Sequence, residues 1–202
     1  MRRLALGGIT GPILFAVVVL VCGALRPEYS HIQRFISELG AAGTPYAALM
    51  NYAGFVPAGL MLALFGVALA FVLPGGRLTV AASTLVTAFG LGIAASGMIS
   101  CDIGCPQHEG SLENFVHNAI APVSFLCLIA ATAMFGIRFR SLPAWRHLSL
   151  YSFLTSAGAL CLLAVLGSSL DARVLTGLWQ RLMLAVLFNW CAIVGLKVFR
   201  NR

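Results

Sequence analysis

Charge is what this sequence has least of. Only 9% of its 202 residues are charged, 60% are hydrophobic, and the mean hydropathy is +0.95. A soluble domain carries roughly 25% charged residues, so a water-facing surface is excluded for most of the chain. Acids are the scarcest class, six against thirteen Lys and Arg, for a net charge of +7. In a soluble protein that surplus would suggest nucleic acid. Here the basic residues flank apolar runs and read as topology signals, so no nucleic-acid partner is expected. Familiar catalytic signatures are missing too: there is no HExxH, no GxSxG and no clustered HxxxH. No convincing repeat relates the two halves, and no long linker or soluble segment is left over.

What is present is apolar sequence in long runs. Crossing about 30 Å of hydrocarbon takes roughly 20 residues, and six runs qualify: 9–25, 46–73, 78–100, 117–137, 148–170 and 174–196. Each must be helical, because lipid cannot satisfy an open backbone. The expected fold is an all-α, polytopic six-transmembrane-helix bundle, 1–202 forming one membrane domain. The first run has Arg2 and Arg3 before an apolar core and a small Ala24, as a signal peptide does. Its core is longer than the usual 7–15 residues, so a retained span is expected.

Arg and Lys in short loops set orientation. Arg2, Arg3, Arg77, Arg138, Arg140, Arg146, Lys197, Arg200 and Arg202 fall on the side of the termini; Arg26, Arg34, Arg173 and Arg181 fall on the other. Both termini are therefore expected in the cytoplasm. The acids, which play no part in that count, all lie in or beside the three outward segments: Glu28, Glu38, Asp102, Glu109, Glu113 and Asp171, with His31, His108 and His117 among them.

The first outward segment carries Ile32, Phe35, Ile36 and Leu39 at helical spacing. Ser30 with Gln33 resembles a capping box, and Gly40 and Gly43 supply a stop. A short amphipathic helix at the outer interface is predicted. In the second outward segment, Gly104, Pro106 and Gly110 mark a turn-rich loop. Ser111 can then cap a helix in which Glu113 and His117 lie one turn apart. Gly90, Gly92, Ala94, Ala95, Ser96 and Gly97 suit a central, closely packed third span. Pro57 and Pro122 should kink the second and fourth. Arg181, inside the last span, must snorkel or pair with a carboxylate, and Glu38 or Asp102 is the expected partner.

Three readings of this outward cluster stay open. It can be a structural polar cap that pairs Arg34, Arg173 and Arg181. It can be a metal-free site, with a carboxylate-oriented histidine as general base, His117 with Asp102 as the core pair, and Ser37 as nucleophile. Or it can hold zinc through Asp102, His117 and Glu113 or His31. Cys101 and Cys105 face an oxidising compartment on this topology and are expected to form a disulfide; a metal site with His108 is the alternative. Cys22, Cys127, Cys161 and Cys191 read as packing residues. Asn189 is expected to bond across helices, and the basic loop around Trp145 and His147 to meet anionic lipid headgroups.

Residues 31–40 (HIQRFISELG) and 51–55 (NYAGF), the Cys101–Asp102 loop, residues 112–117 (LENFVH) and 177–181 (GLWQR) together resemble a six-span prokaryotic membrane family catalogued as domain of unknown function 998. The resemblance covers nearly the whole chain. It implies six spans in a prokaryotic inner membrane, with Ser37, Glu38, Asn51, Asp102, His117 and Arg181 as the matching polar positions, and it brings no activity with it. On this reading His117, Asp102, Ser37 and Glu38 are candidate catalytic groups, and Arg181, Asn51 and His31 candidate contacts for a lipidic or small-molecule ligand. A passive lipid carrier and a non-catalytic membrane subunit are the alternatives. The span interiors lack ionisable groups apart from Arg181, which argues against proton-coupled transport.

Overall fold

The computed structural model describes residues 1–200; Arg202, counted above among the cytoplasmic arginines, lies outside them. Six helices are long and apolar enough to cross a membrane: α1 (Arg2–Ala24), α2 (Ala47–Val72), α3 (Arg77–Met98), α4 (Leu112–Arg140), α5 (His147–Ser168) and α6 (Thr176–Arg200). They coincide with the six predicted runs, and the chain is a multi-pass membrane protein. Most predicted ends move by two residues or fewer. The exceptions lengthen α1 and α4 at their starts, by a 3-10 turn over Arg2–Leu6 and by the cap at Ser111. They also carry α4 and α6 three or four residues past their predicted ends, to Arg140 and Arg200.

Packing between α2 and α3 depends on missing side chains. A Cβ on Gly59 would meet Ala94 N at 2.4 Å and Gly90 O at 2.6 Å, and one on Gly90 would meet Ala63 N at 2.3 Å. The backbones thus touch where the small-residue pattern of the third span called for close approach, but α3 packs chiefly on α2 and α4 and does not occupy the expected bundle centre. The core between α2, α4 and α6 is aromatic. Trp190 of α6 is fully buried, with ring centroids 5.5 Å from Phe135 and 6.4 Å from Phe65, and its indole N–H donates to Ser152 Oγ at 2.9 Å. Pro57 follows a π-helical turn over Met50–Phe55. A wider turn there accommodates a residue that has no N–H to give the regular ladder.

The two ends of the bundle are built differently. At one, the linkers are short and basic: Arg138 donates to the carbonyls of Pro74 and Gly75, and Lys197 lies 3.3 Å from His147 Nε2. At the other, the three longer segments between α1 and α2, α3 and α4, and α5 and α6 carry five of the six acids, Glu113 standing in the first turn of α4, and bond to one another. Ala42 N donates to Cys101 O, and Arg173 to the carbonyls of Gly104 and Cys105.

The predicted interfacial helix over residues 32–39 is replaced by turns and a single 3-10 turn, Ile36–Leu39. Several of its backbone groups are claimed by α6, which leaves too few for a continuous helix. Leu178 N donates to Ile32 O, Thr176 Oγ1 to Gln33 O, and Ile36 N to the Gln180 side chain. Half of the expected capping box survives as Gln33 N to Ser30 Oγ at 3.3 Å. The segment is thus fastened across the top of the bundle, and it positions everything described next.

Candidate functional site at the acid-bearing end

The polar residues that sequence spacing gathers into one cluster separate in space into four groups. The first is a cap. Ser111 is the N-cap of α4, its hydroxyl accepting from Asn114 N at 3.1 Å. Asp102 completes the cap, accepting from Ser111 N at 2.6 Å and from its hydroxyl at 2.9 Å. Asn114, not singled out from sequence, ties the loop down by donating to the carbonyls of Pro106 and Glu109. Its position three residues after Ser111 was the available signal.

The second group is an arginine cradle. Glu38 is 5% exposed and its carboxylate lies 3.7 Å from Arg34 and 3.6 Å from Arg173, while it accepts from Phe35 N at 3.0 Å. Burial pushes the Glu38 carboxyl above the usual carboxylate range. The Phe35 N–H and three arginines pull it back without cancelling that, as expected of ion pairs this loose. Arg26, itself buried, donates to Glu38 O at 2.9 Å and pairs with exposed Glu28 at 3.0 Å.

The third group surrounds Arg181. Its guanidinium pairs with neither Glu38 nor Asp102, contrary to the sequence expectation. It donates instead to Tyr29 Oη at 2.6 Å, Arg34 O at 3.1 Å and Gly177 O at 3.0 Å, and lies 3.2 Å from His31 Nδ1. Helical geometry is the reason: Arg181 faces the α1 side of α6, away from both acids. Gly177 permits the approach, since a Cβ there would meet the backbone oxygens of Arg34 and His31 at 2.3 and 2.6 Å. Burial, and then the charge of Arg181, hold the His31 pKa below its ordinary value. Accepting from Arg181 requires a bare Nδ1, so the ring is neutral.

The fourth group lines a cavity. His117 is 4% exposed, and its Nδ1 lies 2.7 Å from Ile99 O. A carbonyl only accepts, so a proton sits on Nδ1, and in the neutral ring Nε2 is then the acceptor. Ile99, and not Asp102, therefore orients this histidine. A cavity of about 170 Å³ opens between α4 and α5, bounded by His117, Ser37, Gln180, Phe125, Leu163 and Leu166 among others. It continues inward as a narrower void that His117, Ser37 and Gln180 also line. Gln180 spends its oxygen on Ile36 N at 2.8 Å, and its N–H₂ has no hydrogen-bond partner among the described residues. Gln180 has the clearest overlooked role; standing one residue before Arg181, it is turned by about 100° on the helix.

Asn51 supports this end from below, donating to Gly40 O at 2.9 Å and Ser100 Oγ at 3.0 Å. Its Oδ1 occupies the space a Cβ on Gly40 would need. Cys101 and Cys105 form the expected disulfide, with Cα atoms 5.1 Å apart. Cys105 forms part of the cavity wall, 3.4 Å from Ser37 Oγ. Zinc finds no support in the geometry, because among the described residues no three His, Cys, Asp or Glu side chains gather to hold a metal. Asp102 is committed to Ser111, His117 to Ile99, and Glu113 is exposed. His108 pairs with Asp171 at 3.3 Å where both are exposed. Asn189 meets the expectation of bonding across helices, accepting from Tyr151 Oη at 2.8 Å.

No curated protein and no solved structure matches the chain. A protein-family model does, that of Protein of unknown function (DUF998), over residues 9–197. That match runs through all six helices and the acid-bearing end between them, and the chain belongs to this family.

Proposed function

We propose that the protein binds a lipidic or amphipathic molecule in the cavity between α4 and α5, in a prokaryotic inner membrane with the acid-bearing end outward and the termini cytoplasmic. One observation carries the reading. A histidine acceptor (His117 Nε2), a hydroxyl (Ser37) and an unpaired carboxamide donor (Gln180) border a largely apolar cavity, whose other two polar side chains, Gln107 and Asn118, spend their N–H groups on Cys105 O and Pro106 O. A dry apolar void needs no such set, whereas a ligand with an ester, hydroxyl or amide uses an acceptor and a donor together. The volume slightly exceeds the ~150 Å³ that holds a benzene ring. It therefore suits the polar end of a ligand whose tail leaves sideways past exposed Pro122 and Gly167 into the bilayer. On this reading Asp102, Glu38 and Asn51 position the walls, and Arg181 and His31 serve a different face.

Native mass spectrometry of protein extracted from its own membrane tests this. A co-purifying amphiphile is expected with the unaltered chain, and its occupancy should fall about tenfold in Gln180→Leu, the loss of one hydrogen bond to a buried polar group. Equal occupancy in both proteins would refute the assignment.

A second reading, acyl transfer, is favoured by Ser37 and His117 sharing the cavity. Ser37 Oγ would attack an ester carbonyl, giving its proton to His117 Nε2. The departing alcohol would take that proton, and water would release the acyl group. Covalent labelling of Ser37 by a fluorophosphonate, lost in Ser37→Ala, is the expected signature; an unlabelled serine leaves binding alone.

A further inference from the structure

We infer a second ligand site, distinct from the cavity above: the groove between α1 and α6 holds an anionic phospholipid whose headgroup is met by Arg181. The groove has a volume of about 480 Å³, and its walls are almost wholly apolar, with Phe15, Ala16, Leu20, Ala185 and Phe188 along its length. Only His31 and Arg181 interrupt that surface, both at the acid-bearing end. Arg181 lies five residues into α6, about 8 Å from its start, and the groove runs about 10 Å further to Phe188. A charge at headgroup depth above an apolar trough of that length has the shape of a phospholipid.

Charge selects which one. Among the described residues no carboxylate lies within 4 Å of Arg181, although three other arginines here pair with acids. The partners of Arg181 are a phenol, two carbonyls and a histidine nitrogen, all neutral, and they take its four terminal N–H groups. The guanidinium is held rigidly in place, its Nε–H is left over, and its charge stays unbalanced beside lipid. An uncompensated arginine at that depth is costly unless an anion meets it. The neighbouring Glu38 is already committed to Arg34 and Arg173, so the anion must come from outside the chain. The lipid leaflet is what the groove opens onto.

The test is the thermal unfolding of purified protein in detergent, titrated with phosphatidylglycerol or with phosphatidylcholine of the same acyl chains. Phosphatidylglycerol should raise the melting temperature, and phosphatidylcholine should do so only at about five- to tenfold higher concentration, the discrimination one surface charge provides. Arg181→Gln should abolish that discrimination, and Arg181→Lys, which keeps the charge, should retain it. Ala185→Phe, which fills the groove and leaves Arg181 alone, should weaken both lipids together. Val80→Ala, an uncharged change on the exposed side of α3, should change neither. Equal response to the two lipids, full discrimination in Arg181→Gln, or its loss in Val80→Ala would overturn the assignment. None of these outcomes depends on the occupancy of the His117 cavity.

Discussion

Two hollows flank α6, and they differ in what they offer a ligand. The cavity on the α4–α5 side presents uncharged hydrogen-bonding groups, His117, Ser37 and Gln180 with Gln107 and Asn118 beside them, in a largely apolar setting. The groove on the α1 side presents a fixed positive charge, Arg181, above hydrocarbon. Phe15, Ile36 and Leu184 border both the inner part of the cavity and the groove, so a wall of three side chains keeps the two chemistries apart. The polar residues differ by one position on a helix, Gln180 and Arg181, and that step decides which hollow each serves. One protein end can thus treat the polar part of a ligand and the charge of a lipid separately.

The comparison breaks most forcefully at its wall. Ile36 is 3% exposed, and Ile36→Ala should cost about 3 kcal/mol in unfolding free energy. It should also join the hollows, so that phosphatidylglycerol competes with the co-purifying amphiphile; unaltered stability and no competition would mean the wall does not divide them. A smaller loss, about 2 kcal/mol, is expected for Asp102→Ala, which removes the carboxylate from Ser111. Amphiphile occupancy should then stay near that of the unaltered protein. A collapse of occupancy at preserved stability would return Asp102 to the ligand.

The smallest expected effect is in the pH dependence of melting. The His31 pKa is lowered in the folded state, so its contribution is present above the ordinary histidine value of about 6.5 and is lost as pH falls through it. The Glu38 pKa is raised, so its contribution is full below the ordinary carboxylate range and is lost as pH rises past it. His31→Gln should flatten the loss near pH 6, and Glu38→Gln the decline at lower pH. Identical profiles for all three proteins would count against both assignments.

The fold was legible because apolar runs of membrane length have one solution in lipid. The cap at Ser111, the Cys101–Cys105 pair and the close approach of the third span to a neighbour followed from local spacing for the same reason: their partners are near in sequence or dictated by size. The connecting segment was misread where distant partners outbid local ones. Ile32, Phe35, Ile36 and Leu39 have helical spacing, but Thr176, Leu178 and Gln180 take the hydrogen bonds a helix would have used. Arg181 was assigned a carboxylate because charge neutrality is the usual rule, and no pattern in the chain reveals that it meets only neutral groups. The pairing of His117 with Asp102 suffered likewise, since a backbone carbonyl such as Ile99 O has no signature in sequence.

The account turns on what occupies the cavity beside His117. An experimental density map of protein taken from its native membrane is the most direct measurement. Elongated density between α4 and α5, with its polar end at hydrogen-bond distance from His117 Nε2 and the Gln180 carboxamide, is the expected result. A cavity holding only water, or closed by Phe125 and Leu166 packed against His117, would contradict it.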